Sequence, residues 1–142
     1  MMSSADLKPL KWVPTPGIGY TVTRRADGGM NVVFSDISHK TLEHWREFAL
    51  EHLLDSDRLT RNLYDLRQVE SLPHEAVQYA LEVNTDPSVR NIRLAVVVAN
   101  AKVREMIEQI AALSGPGGVE MAIFSEIGEA EAWLARPLTQ VV

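Results

Sequence analysis

The sequence predicts an α/β fold on a mixed, mostly parallel five-stranded sheet, in the order ββαβαβαβα. Three observations carry this. Two short alternating segments flank Asp27-Gly28-Gly29, which is a hairpin signal. From there strand-like and helix-like periodicities alternate along the chain, and this implies parallel strands joined by right-handed crossovers. The later strands each carry one bulky apolar face and one smaller or more polar face.

The elements follow in order. Residues 1–16 read as a flexible N-terminal arm, because Pro14 and Pro16 discourage regular structure. Trp12 and Val13 are apolar enough to dock. Residues 17–142 read as a single domain, a usual size for one core. Ile18, Tyr20 and Val22 alternate with Gly19, Thr21 and Thr23 as a first strand, and Met30 to Ser35 returns as a second. Ser38 is a natural N-cap for a long helix with Leu42, Trp45, Phe48, Ala49, Leu53 and Leu54 at helical spacing. Leu59 to Asp65 is a third strand. Pro73 then suits the first turn of a helix ending near Val83, since its missing N–H would have no partner there.

Asn91 to Ala99 is the fourth strand. Asn100 caps a helix carrying Val103, Met106, Ile107, Ile110 and Leu113, and Gly115-Pro116-Gly117-Gly118 stops it. Val119 to Phe124 is the fifth strand. Ser125 caps a last helix with Ile127, Ala130, Trp133 and Leu134. In the fourth strand Ile92, Leu94, Val96 and Val98 share one face, against Arg93, Ala95, Val97 and Ala99. In the fifth, Val119, Met121 and Ile123 oppose Glu120, Ala122 and Phe124. A sheet buried between two helix layers should be apolar on both faces. Helices are therefore expected mainly on one face. The other would be lightly covered by the arm, a helix or a second subunit.

Composition narrows the function. A formal net charge of -5 argues against a general nucleic-acid binder. The absence of cysteine removes disulfides, thiolate metal sites and thiol nucleophiles, and fits a reducing compartment. The longest apolar run, Leu94 to Ala99, is too short to span a bilayer, and Met1 to Lys11 has no signal-like apolar stretch. A cytoplasmic location is expected. The four histidines have no metal-ligand spacing, the glycine clusters match no phosphate loop, and no Ser, His, Asp set is evident, so no metal or cofactor is implied.

Tyr64-Asp65-Leu66-Arg67 with Val69 and Leu72-Pro73, then Arg93-Leu94-Ala95-Val96-Val97, then Phe124-Ser125 with Ala130, Ala132, Trp133 and Leu134 form an ordered set. In that order and spacing the chain resembles the STAS-like superfamily of the bacterial anti-sigma-factor antagonists, whose fold is related to the lipid-binding CRAL-TRIO domains. The resemblance covers roughly residues 18–135 and is nearest to small bacterial STAS-like proteins of unassigned function. It implies a right-handed βα superhelix and a non-enzymatic binding or regulatory role. Asp65 and Leu66 match the strand-end element of the antagonists. At the helix start, where they hold a phosphorylated serine, this chain reads Pro73-His74-Glu75-Ala76. No hydroxyl stands there, so the resemblance does not extend to a serine-phosphorylation switch.

The candidate site is the rim where strands end and helices begin, with Asp65, Arg67, Ser71, His74, Asn100 and Ser125. Asp65 is either a polar anchor in a pocket or a cap for loop N–H groups. Arg67 either holds an acidic ligand or pairs with Glu70 or Asp65. Ser71, His74 and Glu75 stand at a helix N-terminus, which favours an anion, or are a local cap and first-turn surface residues. The expected partner is a protein or a small anionic or lipid-like ligand. Two other readings remain open: a small enzyme on an anionic substrate, with His74 as acid or base oriented by Asp65, and a structural homo-oligomer such as a homodimer joined through the lightly covered sheet face.

Overall fold

The computed structural model describes residues 12–53, 59–114 and 118–137. Residues 1–11 of the arm, Leu54 and the Gly115–Gly117 stop lie outside the described residues, as does the side chain of Leu53. The elements are β1 (Tyr20–Arg24), β2 (Met30–Phe34), α1 (His39–Leu53), β3 (Thr60–Asp65), α2 (His74–Asn84), β4 (Ile92–Val97), α3 (Ala101–Ser114), β5 (Val119–Phe124) and α4 (Ile127–Leu134). This is the ββαβαβαβα order read from the sequence.

The β1–β2 hairpin turns as its residues dictate. Gly28 has φ +93°, a backbone conformation that costs glycine little. The Asp27 carboxylate accepts the Gly29 N–H at 3.0 Å. Gly29 itself lies against β3: a Cβ there would stand 1.6 Å from the Arg61 carbonyl oxygen. β1 and β2 then pair antiparallel, with Tyr20 opposite Phe34 and Arg24 opposite Met30. Asn62 of β3 reaches across and accepts the Met30 N–H at 2.9 Å.

The strand order is β1-β2-β3-β4-β5, with β2 through β5 mutually parallel. Each parallel step goes the same way. Right-handed crossovers stepping in one direction leave all their helices on one face of the sheet. α1, α2 and α3 accordingly share one core with Tyr20, Val32, Phe34, Tyr64, Leu94 and Val96. Ser38 begins α1 as expected, accepting the Thr41 N–H at 3.4 Å. Trp12 packs against this core, whereas Val13 is exposed. Leu113, expected on the buried stripe of α3, is exposed instead, because that stripe ends with Ile110.

The opposite face carries a smaller cluster of Leu63, Ala95, Val97, Ala130 and Leu134. Of the coverings expected there, the structure uses a helix, α4. Three arginines fasten it. Arg25 donates to both oxygens of Glu131 at 2.8 and 3.0 Å. Arg61 donates to the Leu134 carbonyl at 2.6 Å, and Arg93 to the Arg136 carbonyl at 2.6 Å. Cations suit a helix C-terminus, where carbonyls lack internal partners. Arg93 is buried, lies 5.5 Å from the Trp133 ring and also pairs with Glu120. The rest of this face, on β1 and β2, offers exposed Thr21 and Thr23 beside half-buried Asn31 and Val33.

Gly29→Ala should lower stability by about 1–3 kcal/mol through overpacking against β3. Urea unfolding monitored by circular dichroism checks this, and an unchanged midpoint would contradict the close approach.

Candidate functional site

The ends of β3, β4 and β5 do form a common rim. Asp65, the last residue of β3, is buried and is held by its own loop. Its Oδ1 accepts the Arg67 backbone N–H and Nε at 3.0 Å each, and Oδ2 accepts a terminal guanidinium N–H at 2.9 Å. Burial pushes the Asp65 carboxyl up, but the Arg67 hydrogen bonds and charge outweigh it and hold it below the usual carboxylate range. Leu66 donates to the Val97 carbonyl, and Val98 to the Phe124 carbonyl, so the three strand ends step along one edge. Asn100 Oδ1 accepts the Val103 N–H at 2.8 Å, the cap expected for α3. Its Nδ2 donates to the Val69 and Glu70 carbonyls at 3.4 Å, tying the loop to α3.

Two expected caps are not made. The N-cap position of α2 is Pro73, with no side-chain cap, so Pro73 stands just outside the first turn and Ser71 lies two residues further out, exposed. The N-cap position of α4 is Glu126, also without a side-chain cap, which leaves Ser125 exposed one residue early. Extended backbone at Pro73 and at Glu126 delays both helices beyond the hydroxyl residues.

The rim carries charges of both signs. Arg67 spends its guanidinium on Asp65, and its neighbourhood includes Glu126. Glu75 occupies the first turn of α2, where a bound anion would have to sit. His74 is exposed, and Asp65 turns its hydrogen bonds to Arg67 rather than to His74. The acid-base pair of the enzyme reading is therefore not assembled. Among the described residues no three His, Asp or Glu side chains gather as a metal site would require.

The sequence reading missed His39. Its Nδ1 meets Glu75 of α2, and its Nε2 lies 3.4 Å from Glu43 one turn along α1. Hydrogen bonding and charge from Glu75, then the charge of Glu43, raise the His39 pKa. Further along the seam Arg46 pairs with Glu82 at 2.9 Å and lies 5.3 Å from the Tyr79 ring. The i,i+4 spacing of His39 and Glu43 was readable in the sequence. The partners on α2 were not.

Beneath this seam, between α1, α2, α3 and the sheet, lies a cavity of about 80 Å³. A single water needs only about 10–15 Å³ by the same kind of measure. The walls are apolar: Leu42 and Trp45 from α1, Ala76 and Val83 from α2, Ile107 and Ile110 from α3, and Leu94 and Val96 from the sheet. Ile37 and Leu72, both partly exposed, line its end at the rim. Asn62 and Tyr64 bring polar atoms into it from β3, and Asn84 from α2. The Tyr64 hydroxyl accepts the Trp45 Nε1–H at 3.1 Å, and burial pushes its pKa up to about 12.

A crystal structure similar to this chain is that of an uncharacterized protein from the DUF3478 family with a SpoIIAA-like fold, from Shewanella loihica PV-4. The TM-score is 0.60 at 17% identity, over 87% of this chain and 99% of that one. The fold is SpoIIAA-like. No protein-family model and no curated protein matches the chain. In this SpoIIAA-like fold the rim and the cavity are neighbours, since the loop after β3 and the start of α2 belong to both. Among the described residues no helix is long and apolar enough to cross a membrane.

His39 has a folded pKa above its unfolded value of about 6.5. Its stabilising contribution is thus complete below about pH 6.5 and is lost as pH rises through the raised folded value. The urea midpoint should fall between about pH 6 and pH 9, and fall less in Glu75→Gln. Equal declines in the two proteins would show that the His39–Glu75 contact does not bear on stability.

Proposed function

We propose that the protein is a non-enzymatic binding module that holds a small apolar or amphipathic molecule in the cavity under α2, with the rim as its entrance. One observation carries this reading: the core keeps a cavity of about 80 Å³ whose walls come from three helices and the sheet. Leaving such a volume unfilled costs about 2 kcal/mol, by the slope found for truncated cores. Replacing Ala76 by a larger aliphatic residue would remove much of it. That the chain instead places alanines at 76 and 80, both facing the cavity, supports a space kept for an occupant.

The amphipathic class follows from the lining. An apolar body would gain about 25 cal/mol for each Å² withdrawn from water. A polar end would lie toward Ile37 and Leu72, where the rim begins. The cavity is about half the size of an engineered one that accepts benzene. A larger guest therefore needs α2 to lift, and the α1–α2 seam that resists this is made of exposed polar contacts, which open at low cost. Of the ligand classes expected from the sequence, the amphipathic one suits the apolar walls, and Arg67 at the rim already pairs with Asp65.

Methylenecyclopentane, titrated in carbon-labelled protein, should shift the methyl resonances of Leu94, Val96, Ile107 and Ile110 saturably. Ala76→Leu should weaken that binding at least about tenfold while leaving stability equal or raised by about 1 kcal/mol, as cavity filling does. Absence of a saturable shift both with methylenecyclopentane and with its ketone counterpart, cyclopentanone, in the unaltered protein would remove the proposal.

A further inference from the structure

Asn62, one of the residues that line the cavity, carries an unusual polar group. The residue is 1% exposed. Its Oδ1 accepts the Met30 N–H at 2.9 Å, and this fixes the orientation of the amide, because an N–H can only donate and Nδ2 can only donate. Nδ2 is consequently the free end, and it is buried without a hydrogen-bond partner. A buried amide donor left unmade loses its hydration without compensation, so such groups are ordinarily satisfied by something. The side chain lines the cavity. Two residues on, and on the same face of β3, the Tyr64 oxygen accepts from Trp45. Its own O–H proton has no acceptor among the described residues and is a second donor at the cavity wall.

From this we infer that the occupant is a neutral molecule with an apolar body and a hydrogen-bond acceptor, such as a ketone, aldehyde, ester or amide carbonyl, that receives the Asn62 Nδ2–H. The inference rests on the proposed cavity-binding role and names its ligand class. Both donors are neutral, and among the described residues no charged side chain lines the cavity. Arg61 and Arg93 alternate onto the opposite face and are occupied by carbonyls at the end of α4. A carboxylate or phosphate at Asn62 would be a buried charge without a counter-charge, which costs far more than two neutral hydrogen bonds return. A pure hydrocarbon would leave the amide unsatisfied. A neutral carbonyl meets both conditions.

The test uses two probes of one shape, cyclopentanone and methylenecyclopentane, titrated into the full chain and into Asn62→Leu. Cyclopentanone should shift the side-chain amide proton and nitrogen resonances of Asn62, and methylenecyclopentane should not. In Asn62→Leu the affinity for the ketone relative to the alkene should fall by about tenfold. Should that variant not fold, the Asn62 resonances in the unaltered protein decide alone. If both probes bind but the Asn62 signals respond alike and the ratio is unchanged, the ligand class is wrong while the binding role stands. If neither probe binds, the binding role fails and the ligand class falls with it.

Discussion

Direction of travel across the sheet governs this structure. From β2 to β5 every new strand is added on the same side of the last. With right-handed crossovers, that single constraint stacks α1, α2 and α3 over one face. A doubly wound sheet reverses direction once and opens a crevice at the reversal, where its ligands bind. Here there is no reversal within the parallel strands. The cavity lies instead under the helix layer. α2 bridges between α1 and α3 above the middle strands, and the side chains beneath it do not fill the gap.

β3 divides the chemistry between the two faces. Its alternation turns Asn62, Tyr64 and Leu66 toward the helices, and Arg61, Leu63 and Asp65 the other way. The inward set supplies the polar atoms of the cavity. The outward set anchors α4 at one end of the strand and forms the Asp65–Arg67 clasp at the other. One strand at the centre of the sheet thus serves the cavity, the rim and the second layer. The Asn62–Met30 hydrogen bond adds a link from the cavity to the hairpin, whose close approach at Gly29 fixes the distance between β2 and β3.

The two helix layers are secured by different forces. The three-helix face relies on apolar burial, with ionic contacts along the exposed α1–α2 seam. α4 has only a small apolar footprint and depends on arginines that reach its last carbonyls and Glu131. α2 is joined to α1 by exposed pairs, whereas α4 is fastened by partly buried, charge-assisted bonds. The SpoIIAA-like fold accommodates both.

Local signals in the sequence determined the elements and their faces. Alternation in Ile92–Val98 and Val119–Phe124, the Asp27-Gly28-Gly29 turn, the Ser38 and Asn100 caps and the strand-helix rhythm depend on neighbours within a few residues, so they were legible without coordinates. The placement of 65, 67, 100 and 125 on one rim followed from parallel pairing. Ser71 and Ser125 failed as caps because extended backbone at Pro73 and Glu126 moved each helix start past the hydroxyl. Tertiary structure alone decided the rest. Arg67 could choose among several acids, and only the loop geometry gave it to Asp65. His39 and Glu75 lie 36 positions apart. The cavity and the unmet amide of Asn62 are properties of packing: they depend on what three helices leave unfilled, and no window of sequence contains that information.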